Sequence, residues 1–126
     1  MTAKHGVRTR IETQPTARAV LLALGGEIDS ATAGAVEQAV DQALTAAADA
    51  GAALLVADLG DVDFCASAGF TTLLYAHRRA RQQGVAFAVA VGADSPVRRL
   101  LGLTELDRVL AVHDSVEQAL TTTSTG

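Results

Sequence analysis

The sequence predicts an α/β fold: one domain on a mixed, mostly parallel sheet of about five strands, with about four helices packed against it. Three observations carry that expectation. Short, nearly continuous apolar runs at residues 19–24, 53–59 and 86–91 read as strands covered on both faces. The segments between them place apolar residues at helical spacing. The resulting order is β-β-α-β-α-β-α-β-α, and strands separated by helices run parallel because the crossover returns the chain to the end where it started.

Val7, Thr9 and Ile11 alternate with Arg8, Arg10 and Glu12, the period-two pattern of a half-exposed edge strand. Gln14, Pro15 and Thr16 supply a turn, so this strand and the next form a hairpin. Gly25-Gly26-Glu27-Ile28-Asp29 ends the second strand. Asp29, Ser30 and Thr32 are each competent to cap the helix that follows. Val36, Val40, Ala43, Leu44 and Ala47 form its inner face, and Gly51 stops it. The third strand, residues 53–59, runs into an acidic, glycine-marked loop, Asp58-Leu59-Gly60-Asp61-Val62-Asp63. A second helix starts at Ser67 or Ala68 and stops before Gly84, with Phe70, Leu73, Leu74 and His77 facing inward. The densest basic cluster, His77-Arg78-Arg79 with Arg81, lies in its last turns, where cations complement the helix dipole. Residues 86–91 are the next strand. Ser95-Pro96 opens a short helix that Gly102 closes. Residues 109–112 form a fifth strand, and Asp114 with Glu117 make a capping-box pair for a last helix at 115–120. Order is expected from about residue 7 to residue 120, followed by a short flexible polar tail.

The composition excludes several functions. Half of the 126 residues are apolar (49 %), enough to bury a core without metals or disulfides. Aromatics make up 3 %, which leaves few platforms for stacking bases. The net charge of −4 argues against a nucleic-acid partner. The lone Cys65 cannot form an internal disulfide and reads as a small core hydrophobe. The first residues, Met1 to His5, lack the apolar stretch of a signal peptide, and no apolar run approaches the ~20 residues that span a bilayer, so a cytoplasmic protein is expected. His5, His77 and His113 have no ligand spacing, and Asp58, Asp61 and Asp63 read as solvated, so neither metal nor cofactor is expected. Around Ser67 the Gly-x-Ser-x-Gly pattern of a nucleophile elbow lacks its first glycine, and no phosphate-loop lysine is present. Binding, not catalysis, is the expectation.

In open α/β sheets function gathers where strand carboxyl ends meet the helices that follow. Two such junctions stand out: Gly26-Glu27-Ile28-Asp29, and residues 58–69 centred on Phe64-Cys65-Ala66-Ser67-Ala68-Gly69. The first resembles the Gly-Glu-Leu-Asp signature of STAS domains, the anti-sigma-factor antagonists. The second, with Asp58-Leu59, then Phe64, then Ser67-Ala68-Gly69-Phe70, resembles that family's Asp-Leu-Ser…Phe-x-Asp-Ser-Ser/Ala-Gly-Leu segment. With the matching element order, the resemblance covers nearly the whole chain.

The resemblance implies a regulator that binds an anti-sigma factor with serine-kinase activity and so releases a sigma factor. Phosphorylation of the serine opening the second helix turns binding off, and a serine phosphatase restores it. By matching position Ser67 is the phosphoacceptor, and Asp29 and Asp58 occupy acidic positions near it. The implied partner surface is Ala66, Ser67, Ala68 and Gly69, with Phe70 and Thr71 on or beside it, and the loops at Asp29 and at Asp58, Asp61 and Asp63. The family commonly carries Asp where Ala66 stands. That departure keeps open a second expectation, a non-phosphorylated STAS scaffold or an accessory subunit of a transporter complex. The plainer role for Ser67 is an N-cap worth ~1 kcal/mol. Oligomeric state is left open.

Overall fold

Strand β1 (Val7–Gln14) turns at Pro15 into β2 (Ala19–Ile28), and the two pair antiparallel from Val7 opposite Gly26 to Gln14 opposite Ala19. This computed structural model describes residues 6–124. After the hairpin come α1 (Ala33–Ala50), β3 (Leu54–Cys65), α2 (Ser67–Gln82), β4 (Ala86–Ala90) and α3 (Pro96–Leu103). A 3-10 turn (Leu106–Arg108), β5 (Ala111–His113) and α4 (Val116–Ser124) complete the chain. The sheet order is β1-β2-β3-β4-β5, and every pair after the first is parallel. The expected mixed sheet, with its antiparallel edge strand, is what forms.

Side chains alternate across a strand, so each strand feeds two layers. Val20, Leu22 and Leu24 of β2, with Leu55, Ala57 and Leu59 of β3, pack beneath α1 and α2 in the main core. Ala19, Leu21, Leu54, Val56, Ala88 and Ala90 face the other way, towards Ala119 and its neighbours on α4. A fully buried Leu such as Leu22 or Leu55 contributes ~2 kcal/mol by leaving water. Between α1 and α2, the Tyr75 hydroxyl donates to Asp41 at 2.8 Å, and the Arg79 guanidinium approaches the same carboxylate at 3.5 Å. This gives Arg79 of the basic cluster a structural task.

The helix ends are built partly as the sequence suggests. Gly51 ends α1 in the left-handed conformation (φ 65°), and Ser95 caps α3 by accepting from the Val97 N–H at 3.1 Å. Four expectations are corrected. The presumed acidic loop, Asp58 to Asp63, is strand: β3 continues to Cys65 against an equally extended β2 that runs to Ile28. The fifth strand is Ala111–His113, because Val109 closes the 3-10 turn with an N–H bond to Leu106. The last helix is opened by Ser115 and Gln118: the Gln118 N–H donates to Ser115 Oγ, and Gln118 Oε1 accepts from the Asp114 N–H. Asp114 instead pairs with Arg98 at 2.7 Å. The last helix runs on to Ser124, past its expected end at residue 120. Met1 to His5, and the tail's Thr125 and Gly126, lie outside the described residues. Among the described residues no helix is long and apolar enough to cross a membrane.

Candidate functional site: the Ser67 edge

The carboxyl ends of β2 and β3 deliver two helix starts side by side. The junction is tied by the Ala66 N–H, which donates to Ile28 O at 2.8 Å. On the α1 side, Asp29 Oδ1 accepts from the Ala31 and Thr32 N–H groups at 3.0 and 3.2 Å. Thr32 Oγ1 accepts in turn from the Asp29 N–H and donates to Glu27 O. Thr32 holds the cap position, and Asp29 closes the turn into α1: its carboxylate takes the Ala31 and Thr32 N–H groups, and its backbone carbonyl accepts from the Ala33 N–H at 2.8 Å. Asp29 directly follows Ile28, whose carbonyl ties the Ser67 junction, and its Oδ1 is committed to the turn that opens α1.

On the α2 side, Ala66 holds the N-cap position with extended dihedrals and no capping side chain. Ser67 is the first helical residue, not the cap. Its side chain is exposed, and among the described residues nothing hydrogen-bonds its hydroxyl. At the start of α2 the Ala66 and Gly69 N–H groups are taken by Ile28 O and Ala66 O; those of Ser67 and Ala68 have no helical carbonyl before them and lie beside that hydroxyl. Replacing Ala66 with Asp should supply the missing cap. We expect Ala66→Asp to stabilise the fold by ~1 kcal/mol, a rise of roughly 4 °C in a thermal melt. An unchanged or lower melting temperature would contradict this account of the helix start.

The ground beneath Ser67 is tight. A Cβ on Gly69 would collide with Cys65 Sγ and lie 2.9 Å from Ile28 Cγ2. Only glycine lets α2 sit this close to the ends of both strands. Phe70 is 8 % exposed and packs in the main core, so it supports the surface instead of forming part of it. Thr71 is exposed, with its hydroxyl bonded to Ser67 O at 3.2 Å. Cys65 is core, as expected, and desolvation of the thiolate pushes its pKa up to about 11. Folding therefore favours the neutral thiol, and that contribution is present below the usual thiol range and lost as pH rises towards 11. Alkylation at pH 8 should be slow in the native protein and fast once it is unfolded; equal rates would contradict this burial.

The expected acidic residues divide. Asp58 pairs with Ala23 on the face opposite α2, and up to roughly 20 Å of extended chain separates it from Cys65. With Asp61 it lines a cleft of about 270 Å³ whose other wall carries Arg8 and Arg10. The structure does not bring Asp58 to Ser67. Asp63 is exposed on the final stretch of β3. One surface residue falls outside the expected contact set: Phe64, 53 % exposed, three positions before Ser67. Two register shifts turn it outward. β3 uses seven steps from Asp58 to Cys65 where β2 uses five from Ala23 to Ile28. Burial then recurs every third residue, at Leu59, Val62 and Cys65. The signal in the sequence was Gly25-Gly26 facing the acidic run, since paired glycines in a strand mark bulges. Gly26 itself has φ +93° and lies against the Gly6 carbonyl, to which the Glu27 N–H donates.

Comparison with known proteins agrees with this architecture. The anti-sigma-F factor antagonist RsfB of Mycobacterium tuberculosis is 37 % identical over 101 residues, covering 80 % of this chain and 78 % of that protein. The crystal structure of an anti-sigma factor antagonist from Mycobacterium paratuberculosis superposes with a TM-score of 0.80 at 27 % identity, covering 96 % of this chain and 97 % of that one. The Bacillus cell fate determinant SpoIIAA in its phosphorylated form shares the fold at 16 % identity, with a TM-score of 0.61 over 90 % of this chain and 97 % of that one. The model of the STAS domain matches residues 10–119, and this chain belongs to the STAS domain family.

Proposed function

We propose that this chain is an anti-sigma-factor antagonist: it binds a serine-kinase anti-sigma factor in the cytoplasm, frees the sigma factor, and is switched off by phosphorylation of Ser67. One observation carries the reading. Among the described residues Ser67 offers an exposed, unbonded hydroxyl at the start of a 16-residue helix, beside a strand end tied by the Ala66 N–H to Ile28 O. The 37 % identity to an anti-sigma-F factor antagonist supports the role.

The chain itself tolerates a phosphate there, since a helix N-terminus stabilises anions. A partner does not. A kinase must place the acceptor hydroxyl against the terminal phosphate of its nucleotide, so the phosphoserine meets an anionic pocket with a charge of about −1.5 to −2. No chemistry on this chain's part is required; its buried, neutral Cys65 and unassisted Ser67 suit a binding role.

The test is a release assay: the chain is added to a purified complex of sigma factor and anti-sigma factor. Free sigma factor should appear, and prior incubation with the kinase and ATP should suppress it. Failure to release sigma factor at saturating concentration would refute the antagonist role. Ala66, where the family commonly has Asp, favours the alternative of a non-phosphorylated scaffold; that reading predicts release without suppression by ATP, or stable purification with a transporter subunit.

A further inference from the structure

The geometry points to Phe64 as the anchor of the partner interface, entering an apolar pocket with a cationic rim on the anti-sigma factor. This rests on the proposed function and adds the partner's chemistry to it. The chain has four aromatic residues. Phe70 and Phe87 are buried, and Tyr75 is engaged between α1 and α2. Phe64 alone of the four is turned to solvent, at 53 % exposure.

Its exposure is imposed by the backbone. Continued alternation from Val62 would have put Phe64 inside; the register shift between Gly26 and Glu27 puts it outside, opposite Glu27. The chain on either side is fixed. Val62 and Cys65 are buried, and the Ala66 N–H is bonded to Ile28 O. A ring held out on rigid backbone loses little conformational freedom when a partner covers it, and aromatic side chains of this kind dominate interface energetics.

Charge identifies what surrounds the receiving pocket. Eight acidic residues and no lysine or arginine stand between Arg18 and Arg78; Arg8 and Arg10 of β1 face Asp58 and Asp61 across their cleft, and Arg79 pairs with Asp41, so the acidic residues outnumber the cations that approach them. Asp61 and Asp63 are exposed within three residues of Phe64, Asp61 across the cleft from Arg8 and Asp63 directly before the ring. A partner closing over this ring meets negative charge around it, and complementarity requires lysine or arginine there. The nucleotide phosphate facing Ser67 is a separate, local contact.

The experiment titrates wild type, Phe64→Ala, Phe64→Leu, Ser67→Glu and Asp61→Asn/Asp63→Asn against purified anti-sigma-F factor of Mycobacterium tuberculosis, the named target of the 37 % identical relative. Thermal melts of each variant verify folding. Phe64→Ala should weaken binding by roughly thirtyfold or more with an unchanged melting temperature, and Phe64→Leu should recover part of the loss. The double Asn variant should associate several-fold more slowly at low salt, with the difference fading as salt rises. Phe64→Ala binding within about threefold of wild type, while Ser67→Glu loses binding, would overturn the anchor and leave the switch intact. An association rate for the Asn variant equal to wild type at low salt would overturn the cationic rim. No binding by wild type would overturn the anchor together with the reading it rests on.

Discussion

Ser67→Glu is expected to weaken binding to the kinase anti-sigma factor by roughly thirty- to a hundredfold, while Ser67→Ala stays within about threefold of wild type. The asymmetry follows from position. Among the described residues nothing bonds the hydroxyl, so deleting it removes no hydrogen bond there. A carboxylate at the first helical residue is favourable to the isolated chain, by about 0.3–1 kcal/mol. The Glu variant should therefore melt at or slightly above the wild-type temperature while binding worse. Loss of affinity without loss of stability separates a surface switch from a damaged fold. Equal affinities of the Ala and Glu variants in a calorimetric titration would contradict the switch.

Gly69→Ala is expected to have the largest effect on stability of any one-carbon change at the site. On helix propensity alone alanine should gain about 1 kcal/mol over glycine. Here the added methyl enters space held by Cys65 Sγ and the Ile28 side chain. Overpacking of this kind costs about 1–3 kcal/mol, and relief by moving α2 would displace Ser67 with it. The net sign should be destabilising, with weaker partner binding alongside. Cys65→Ala in the same chain removes the sulfur and should restore part of the loss, while contact with Ile28 persists. Denaturant midpoints of the two single variants, the double variant and wild type give the coupling, expected at about 0.5–3 kcal/mol. Strict additivity, or a Gly69→Ala variant more stable than wild type, would show that α2 does not sit as described.

The order of elements was legible because each central strand is an unbroken apolar run and each helix repeats its apolar face. Val20 to Leu24 and Leu54 to Ala57 need no context to declare two-sided burial. The end of β3 was not legible. Asp58, Gly60, Asp61 and Asp63 have low strand propensity; Asp58 is held extended by pairing with both β2 and β4, Asp61 by β2, and Gly60 and Asp63 are the residues skipped at the register shifts. The two register shifts are tertiary features, and without them alternation assigns Phe64 to the inside. Ser67 was legible as the start of a helix by its neighbours, but cap and first helical residue differ by one position. The outcome depended on where β3 stops, at Cys65. Phe70 was read as both an inward-facing residue and a surface neighbour of Ser67; the wheel position was the correct guide, and its packing in the core decides the matter. The separation of Asp58 from Ser67 was hidden for the same reason as the strand extension, since a loop would have let that carboxylate fold back.

The most direct measurement is the location of phosphate after incubation with the kinase anti-sigma factor and ATP. Ser30 and Thr71 are exposed hydroxyls on the same edge and provide internal competitors. Tandem mass spectrometry should find a single phosphate on Ser67, absent from Ser67→Ala. Phosphate on Ser30 or Thr71 with Ser67 unmodified, or none on a chain that the kinase demonstrably binds, would contradict the account.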